Sequence, residues 1–251
     1  YRLAEASAHS PEPVVFANRH VGSAASQTLS LSNIAAADGF SESLDASIGG
    51  ATGNATTNGG SFSLLAAGGT NASSLEIGID TSSAGHKVGT ATITLTSNGA
   101  GTSDLGTTGL GTQTVNVSGN VYRFAQASTV TAVQFGNVHV GDVVSRTLTL
   151  SNLAAADGFS ESLDAAFGGV SDARILTSGS VSGLAAGATD SGSLVVELDT
   201  STAGSLTGFA TLNFTSNGAG TSGLGTTSLG FQNVGVTTNV AVYRFADGAV
   251  D

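Results

Sequence analysis

The chain has 251 residues, 40% hydrophobic and 10% charged, with 36 glycines, two prolines and no Cys, Met or Trp, so disulfides, thiolate metal sites and cysteine nucleophiles are excluded. Seven basic residues against 18 acidic ones leave a net charge of −11, and the basic residues stand singly, which argues against nucleic acid as a partner. A mean hydropathy of +0.22 fits a folded chain, while no apolar run approaches the roughly 20 residues of a membrane helix, so no membrane span is expected.

Residues 1–12 open with Tyr1-Arg2-Leu3-Ala4, a motif that returns further along. Strands are then expected near 13–17, 27–33, 40–45, 61–65, 73–79, 88–96 and 112–124. Apolar and small polar residues alternate there, as at Leu29 and Leu31, Ile77 and Ile79, Ala91, Ile93 and Leu95, and Val115, Val117 and Val121. Asp38-Gly39 and Asn98-Gly99 supply turns between them. No stretch keeps a 3.6-residue period through three turns, so the chain reads as all-β.

The pattern then repeats. Val21-Gly22 and Thr28 to Asn33 return as Val140-Gly141 and Thr147 to Asn152, an offset of 119 that also relates residues 35–46 to 154–165 and 96–103 to 215–222. A period this long exceeds the roughly 20–50 residues of solenoid repeats and suits a complete immunoglobulin-sized domain. The expected fold is two tandem Ig-like β-sandwich domains of about seven strands each, at 13–125 and 126–251. The motif Tyr-Arg-(Leu/Phe)-Ala starts at residues 1, 122 and 243, three times for two domains. Residues 1–12 therefore read as a copy of a module-ending strand.

The order Phe16, Val21-Gly22 and Thr28 to Asn33, with Phe135-Gly136, Val140-Gly141 and Leu148 to Asn152 in the second copy, resembles the opening of ASH-type Ig-like domains. The wording of residues 154–165 and 215–230 is similar to bacterial choice-of-anchor D proteins, which are exported repeat proteins of the cell surface. That resemblance implies a β-sandwich at an extracellular or cell-surface location, and it brings no catalytic residues.

Several groups invite functional readings. Asp38, Glu42 and Asp45 recur as Asp157, Glu161 and Asp164 and suggest Ca²⁺ or a glycosidase pair, but alternation sets Glu42 and Asp45 on opposite faces. Gly218, Gly220 and Gly223 have dinucleotide-turn spacing without a following helix. His20 and His139 recur alone, too few for a triad or a closed metal site. The glycine-rich stretches 97–111 and 216–230 read as long loops suited to contact. Tyr1, Arg2, Leu3, Tyr122, Arg123, Phe124, Tyr243, Arg244 and Phe245 are the candidate interface, since tyrosine and arginine favour interfaces. These features point to a non-enzymatic structural repeat protein without a cofactor: a stalk, fibre or surface-layer subunit that associates with itself or with neighbouring repeats. Residues 1–12 are the expected donor of a strand to a neighbour's sheet. The alternative is an adhesin-like module that uses the glycine-rich loops to bind a glycan or surface protein.

Overall fold

The computed structural model describes residues 1–248, apart from the side chains of 237–240, so the last three residues of the expected second domain lie outside it. The chain divides into two compact units, Tyr1–Tyr122 and Arg123–Asp251. Among the described residues there are strands and no helix.

Unit 1 comprises β1 (Val14–Val15), β2 (Arg19–His20), β3 (Ser26–Ser32), β4 (Ser43–Gly53), β5 (Ala55–Thr57), β6 (Ser61–Leu65), β7 (Thr70–Ile79), β8 (Gly85–Asn98) and β9 (Thr107–Tyr122). One sheet runs β1-β9-β8-β4-β6 with β2 also on β9, and the other runs β3-β7-β5. Every strand expected from alternation is present except that 40–45 starts at Ser43 and extends to Gly53. The two-residue and three-residue strands β2 and β5 carry too few residues to show a period.

Between the sheets lies one core. Leu29 and Leu31 from β3 and Leu75 and Ile77 from β7 face Leu44 from β4, Ile93 from β8 and Val115 from β9, all at 0% exposure. Each such leucine contributes about 2 kcal/mol by leaving water. Along β8, Ala91, Ile93, Leu95 and Ser97 are buried and the residues between them are not, which is the pleat bringing every second residue inward.

The first ten residues lie on this same unit. Ala6 bridges Asn33 and Ser10 bridges Ser30, both antiparallel to β3, before the chain crosses over and Val14 pairs in parallel with Val117 of β9. Pro11 and Pro13 stand at the crossover, where a missing N–H costs no ladder bond. Residues 1–12, expected as a spare module-ending strand, instead lie along unit 1 through isolated bridges, with the N–H groups of Arg2, Ser7 and Ser10 bonded to the carbonyls of Phe40, Ser32 and Ser30.

Unit 2 comprises β10 (Val138–His139), β11 (Val144–Thr147), β12 (Leu150–Ser151), β13 (Ser162–Val170), β14 (Ile175–Ser178), β15 (Ser180–Leu184), β16 (Thr189–Asp190), β17 (Val195–Leu198), β18 (Gly204–Asn217) and β19 (Thr226–Tyr243). Its sheets run β10-β19-β18-β13-β15 and β11-β17-β14, with β12-β16 continuing the latter pairing after a break. Ala127 bridges Asn152 antiparallel and Val133 bridges Val236 in parallel, repeating the crossover. A first segment shared between sheets, with β3, β7 and β5 on one side and β4, β8 and β9 on the other, is the ABED against CFG arrangement. Each unit is an Ig-like β-sandwich. No helix among the described residues is long and apolar enough to cross a membrane.

Candidate interface site at the start of each unit

Three stretches that recur in the sequence meet at one end of each unit: the Tyr-Arg-x-Ala motif, the Asp-Gly-Phe-Ser-Glu turn and the tip of the hairpin between the last two long strands. In unit 1, Arg2 donates from its main-chain N–H to the Phe40 carbonyl at 2.7 Å, and the Glu42 N–H donates to the Arg2 carbonyl at 2.9 Å. The Arg2 guanidinium reaches Asp38 at 2.7 Å. Asp38 is in position because its other oxygen accepts the Phe40 N–H at 3.1 Å, closing an Asx turn. The guanidinium and that backbone donor hold the Asp38 carboxyl below its ordinary range.

Ala4 follows and is buried at 4% exposure. Its N–H donates to Ser97 Oγ at 2.8 Å, and Ser97 in turn donates to Glu42 Oε2 at 2.6 Å. Ser103, from the hairpin tip, donates to Glu42 Oε1. Glu42 is only 2% exposed, and a buried carboxylate persists only when its oxygens are hydrogen-bonded. The hydroxyls of Ser103 and Ser97 push its pKa down against the opposing effect of desolvation. Asn33, fully buried, completes the assembly: its amide donates to the carbonyls of Glu42 at 3.0 Å and Leu65 at 3.1 Å, while its oxygen accepts the N–H groups of Glu5 and Ala35.

Unit 2 builds the same assembly. Arg123 reaches Asp157 at 2.6 Å and Ser160 at 3.0 Å, the Ala125 N–H donates to Ser216 at 2.8 Å, and Ser216 donates to Glu161 Oε2 at 2.6 Å. Ser222 bonds Glu161 Oε1. Asn152 donates to the Glu161 and Leu184 carbonyls.

The candidate interface residues therefore fall into different roles. Tyr1 packs a tilted ring against Phe40 at 5.9 Å and stays 66% exposed, and Leu3 is exposed. Arg2 and Arg123 are engaged with Asp38 and Asp157 of their own units. Tyr122 closes unit 1 and is buried, whereas Phe124 of unit 2 is 37% exposed. Tyr243 and Phe245 are exposed, and Phe245 stacks on His139 at 4.4 Å. Arg244 is exposed, and among the described residues none forms an ion pair with it. Sequence reasoning weighted the aromatics and passed over Ala4, Asn33, Ser97 and Ser103. Their signal was only that each recurs in the second copy, Asn33, Ser97 and Ser103 at the 119-residue offset and Ala4 at 121.

The repeated carboxylates do not converge on a common point. Asp38 serves the Asx turn, Glu42 the buried hydroxyls, and Asp45 accepts the Leu64 N–H at 2.7 Å and the Asn98 amide at 2.7 Å. The long glycine-rich loops are a correction: β8 and β9 stay paired through Asn98 and Thr107, across a register shift opposite Leu95 and Thr96, leaving tips of residues 99–106 and 218–225. Within the second tip the amides of Thr221 and Gly223 bond the Gly218 carbonyl, and a strand follows. With the Glu161 carboxylate facing this turn, no phosphate cradle is formed.

No family model and no curated protein matches the chain. Among solved structures, the ASH / PapD-like domain 7 of human CEP192 is similar to 48% of this chain over 87% of its own length, with 11% identity and a TM-score of 0.33. The I-band fragment I67-I69 of titin is similar to 94% of this chain, which spans 65% of that fragment, at 12% identity and a TM-score of 0.35. The CupB6 tip adhesin of Pseudomonas aeruginosa is similar to 97% of this chain over 100% of its own, at 13% identity and a TM-score of 0.27. The Ig-like assignment rests on the strand order and core described above rather than on these scores.

Proposed function

We propose that the chain is a non-enzymatic structural repeat protein, exported and placed in a stalk, fibre or surface layer as the choice-of-anchor D resemblance implies. The observation that carries this reading is how the repeated polar groups are used. Arg2, Asp38, Asn33, Glu42, Ser97 and Ser103, and their counterparts in unit 2, bond one another or their own backbone. A catalytic constellation needs a nucleophile or base aimed at a substrate, and here the recurring candidates are turned inward. What repeats is a device for tying the entering strand to its sandwich.

A second reading, binding of a glycan or surface protein, is favoured by one observation: Leu105 is 78% exposed at the hairpin tip of unit 1. Screening the full chain on polysaccharide and surface-protein arrays separates the two. The structural reading expects no saturable retention. Retention that saturates and is lost on Leu105→Ser would overturn it in favour of binding.

A further inference from the structure

On the outer face of unit 2's larger sheet, one cross-strand row runs through Ser180 of β15, Ala166 of β13, Asn213 of β18 and Phe231 of β19. All four are exposed, while their neighbours Ala165, Val181 and Phe214 point into the core. Ala166, the smallest of the four, leaves the floor of a groove of about 240 Å³ that Asp164, Ser180, Ser182, Asn213 and Thr215 line. Phe231 stands directly opposite Asn213 across the β18–β19 pair, within the roughly 5 Å that separates opposed side chains, and is 67% exposed. Four residues along β18 from Asn213, roughly 13 Å at the rise of a strand, Phe209 is a second exposed ring on the same face. In unit 1 the matching row is Ser61, Ser47, Thr94 and Thr112, with Thr90 at the place of Phe209. The groove there measures about 250 Å³, and threonines replace both outward rings.

We infer that this face of unit 2 is a binding site for a neutral oligosaccharide. Its groups match a sugar: hydroxyls and an amide that both donate and accept, and a ring to cover an apolar C–H face. The side chains of Ser180, Ser182, Asn213 and Thr215 have no hydrogen-bond partner among the described residues. Asp164 is held in place, its Oδ1 accepting the Gly183 N–H at 2.6 Å and its Oδ2 the Asn217 amide at 2.8 Å. Two N–H donors on that carboxylate leave it an acceptor for hydroxyls rather than a seat for a cation. It is also the only charge in the lining, which holds no Lys or Arg, so a uronic or sulfated sugar would set a second negative charge beside it uncompensated. The rings set the length, since a ligand that touches both Phe231 and Phe209 spans more than one sugar unit.

The face is open on one side, so such a ligand buries only part of its surface and is held with a Kd on the order of 1 mM. Binding that weak is lost when an array is washed. The site therefore goes beyond the structural reading without opposing it, because a stalk unit can carry it on its flank.

The test follows main-chain and side-chain amides of the full chain by NMR while cellotriose, maltotriose or mannotriose is added up to tens of millimolar. At least one of the three is expected to shift the Asn213 side-chain amide and the Thr215 N–H saturably, with smaller shifts at Thr94 and Thr96 of unit 1. Phe231→Thr, which copies unit 1 at an exposed position, is expected to weaken that binding about tenfold and leave Tm unchanged. Trigalacturonate, of equal length but anionic, is expected to shift neither amide. No saturable shift at Asn213 with any of the three neutral sugars, a shift that Phe231→Thr leaves intact, or an equal response to trigalacturonate would overturn the inference. Phe231 and Leu105 lie in different units, so loss of this binding and loss of array retention are separate outcomes.

Discussion

At the place where unit 1 buries Lys87, unit 2 buries Leu206, the residue 119 positions on, at 4% and 3% exposure. The Lys87 ammonium donates to Ser83 Oγ at 2.9 Å, and the nearby Asp80 carboxyl has its pKa lowered by the backbone and hydroxyl bonds from Ser82, with a smaller contribution from the Lys87 charge. A second contrast lies at the end of β4. There Gly53 has φ +60°, and a Cβ on it would lie 2.6 Å from the Val88 carbonyl oxygen, so only glycine fits. Unit 2 has Asp172 at the matching position, forked to Arg174 through 3.2 and 2.9 Å bonds. The assembly around Glu42 and Glu161 shows no such drift: the alanine to serine and serine to glutamate bonds are 2.8 and 2.6 Å in both units. The positions that differ accept different local solutions because each involves few partners: Ser83 receives the buried Lys87 ammonium, and Leu206 needs none. A buried polar network leaves no such freedom, since each missing partner costs its full desolvation.

The largest effect is expected where that network is deepest. Asn33→Ala or Asn152→Ala should each cost about 3 kcal/mol in its own unit, lowering that unit's Tm by roughly 10 °C. Thermal unfolding combined with hydrogen exchange will assign the loss to a unit, and unequal losses would break the equivalence of the two assemblies. Gly99→Ala and Gly218→Ala come next at about 1–2 kcal/mol, because the new Cβ atoms would meet Ser103 and Ser222 Oγ at 2.4 and 2.2 Å. Lys87→Leu, which copies unit 2 into unit 1, should instead stabilise unit 1 by about 1 kcal/mol in denaturant titration.

Acid sharpens the comparison further. Glu42 and Asp38 in unit 1 and Asp157 in unit 2 have folded pKa values below their ordinary 4.5, 3.8 and 3.8. The ionised forms therefore stabilise the fold at neutral pH. That contribution begins to fade near those ordinary values and is lost as pH falls through the depressed folded ones. Tm measured from pH 7 to 3 should decline below pH 4.5, and Glu42→Gln should flatten the decline for unit 1 alone. The smallest effect belongs to Arg2→Ala, whose ion partners are both largely exposed, so Tm should change by no more than about 2 °C.

Much of this was legible from local pattern. Alternation at Leu29 and Leu31 or at Ile93 and Leu95 marks strands because a pleat turns every second side chain inward, a rule that needs no partner to be known. The 119-residue offset marks two equivalent domains for the same reason, since like sequences bury like cores. What local pattern could not supply was where a segment's hydrogen bonds go. Residues 1–4 look the same whether they end one module or begin the next, and only their bonds to Phe40, Ser97 and Glu42, close to 40 and 100 positions away, decide it. The glycine-rich stretch 97–111 reads as loop because glycine has weak strand propensity, yet β8–β9 pairing holds 97–98 and 107–111 as strand across one bulge and leaves only 99–106 as the tip. Repetition announced which residues matter, and long-range pairing, which no nearest-neighbour rule contains, settled that Asp38, Glu42 and Asp45 hold three different parts of the fold rather than one ion.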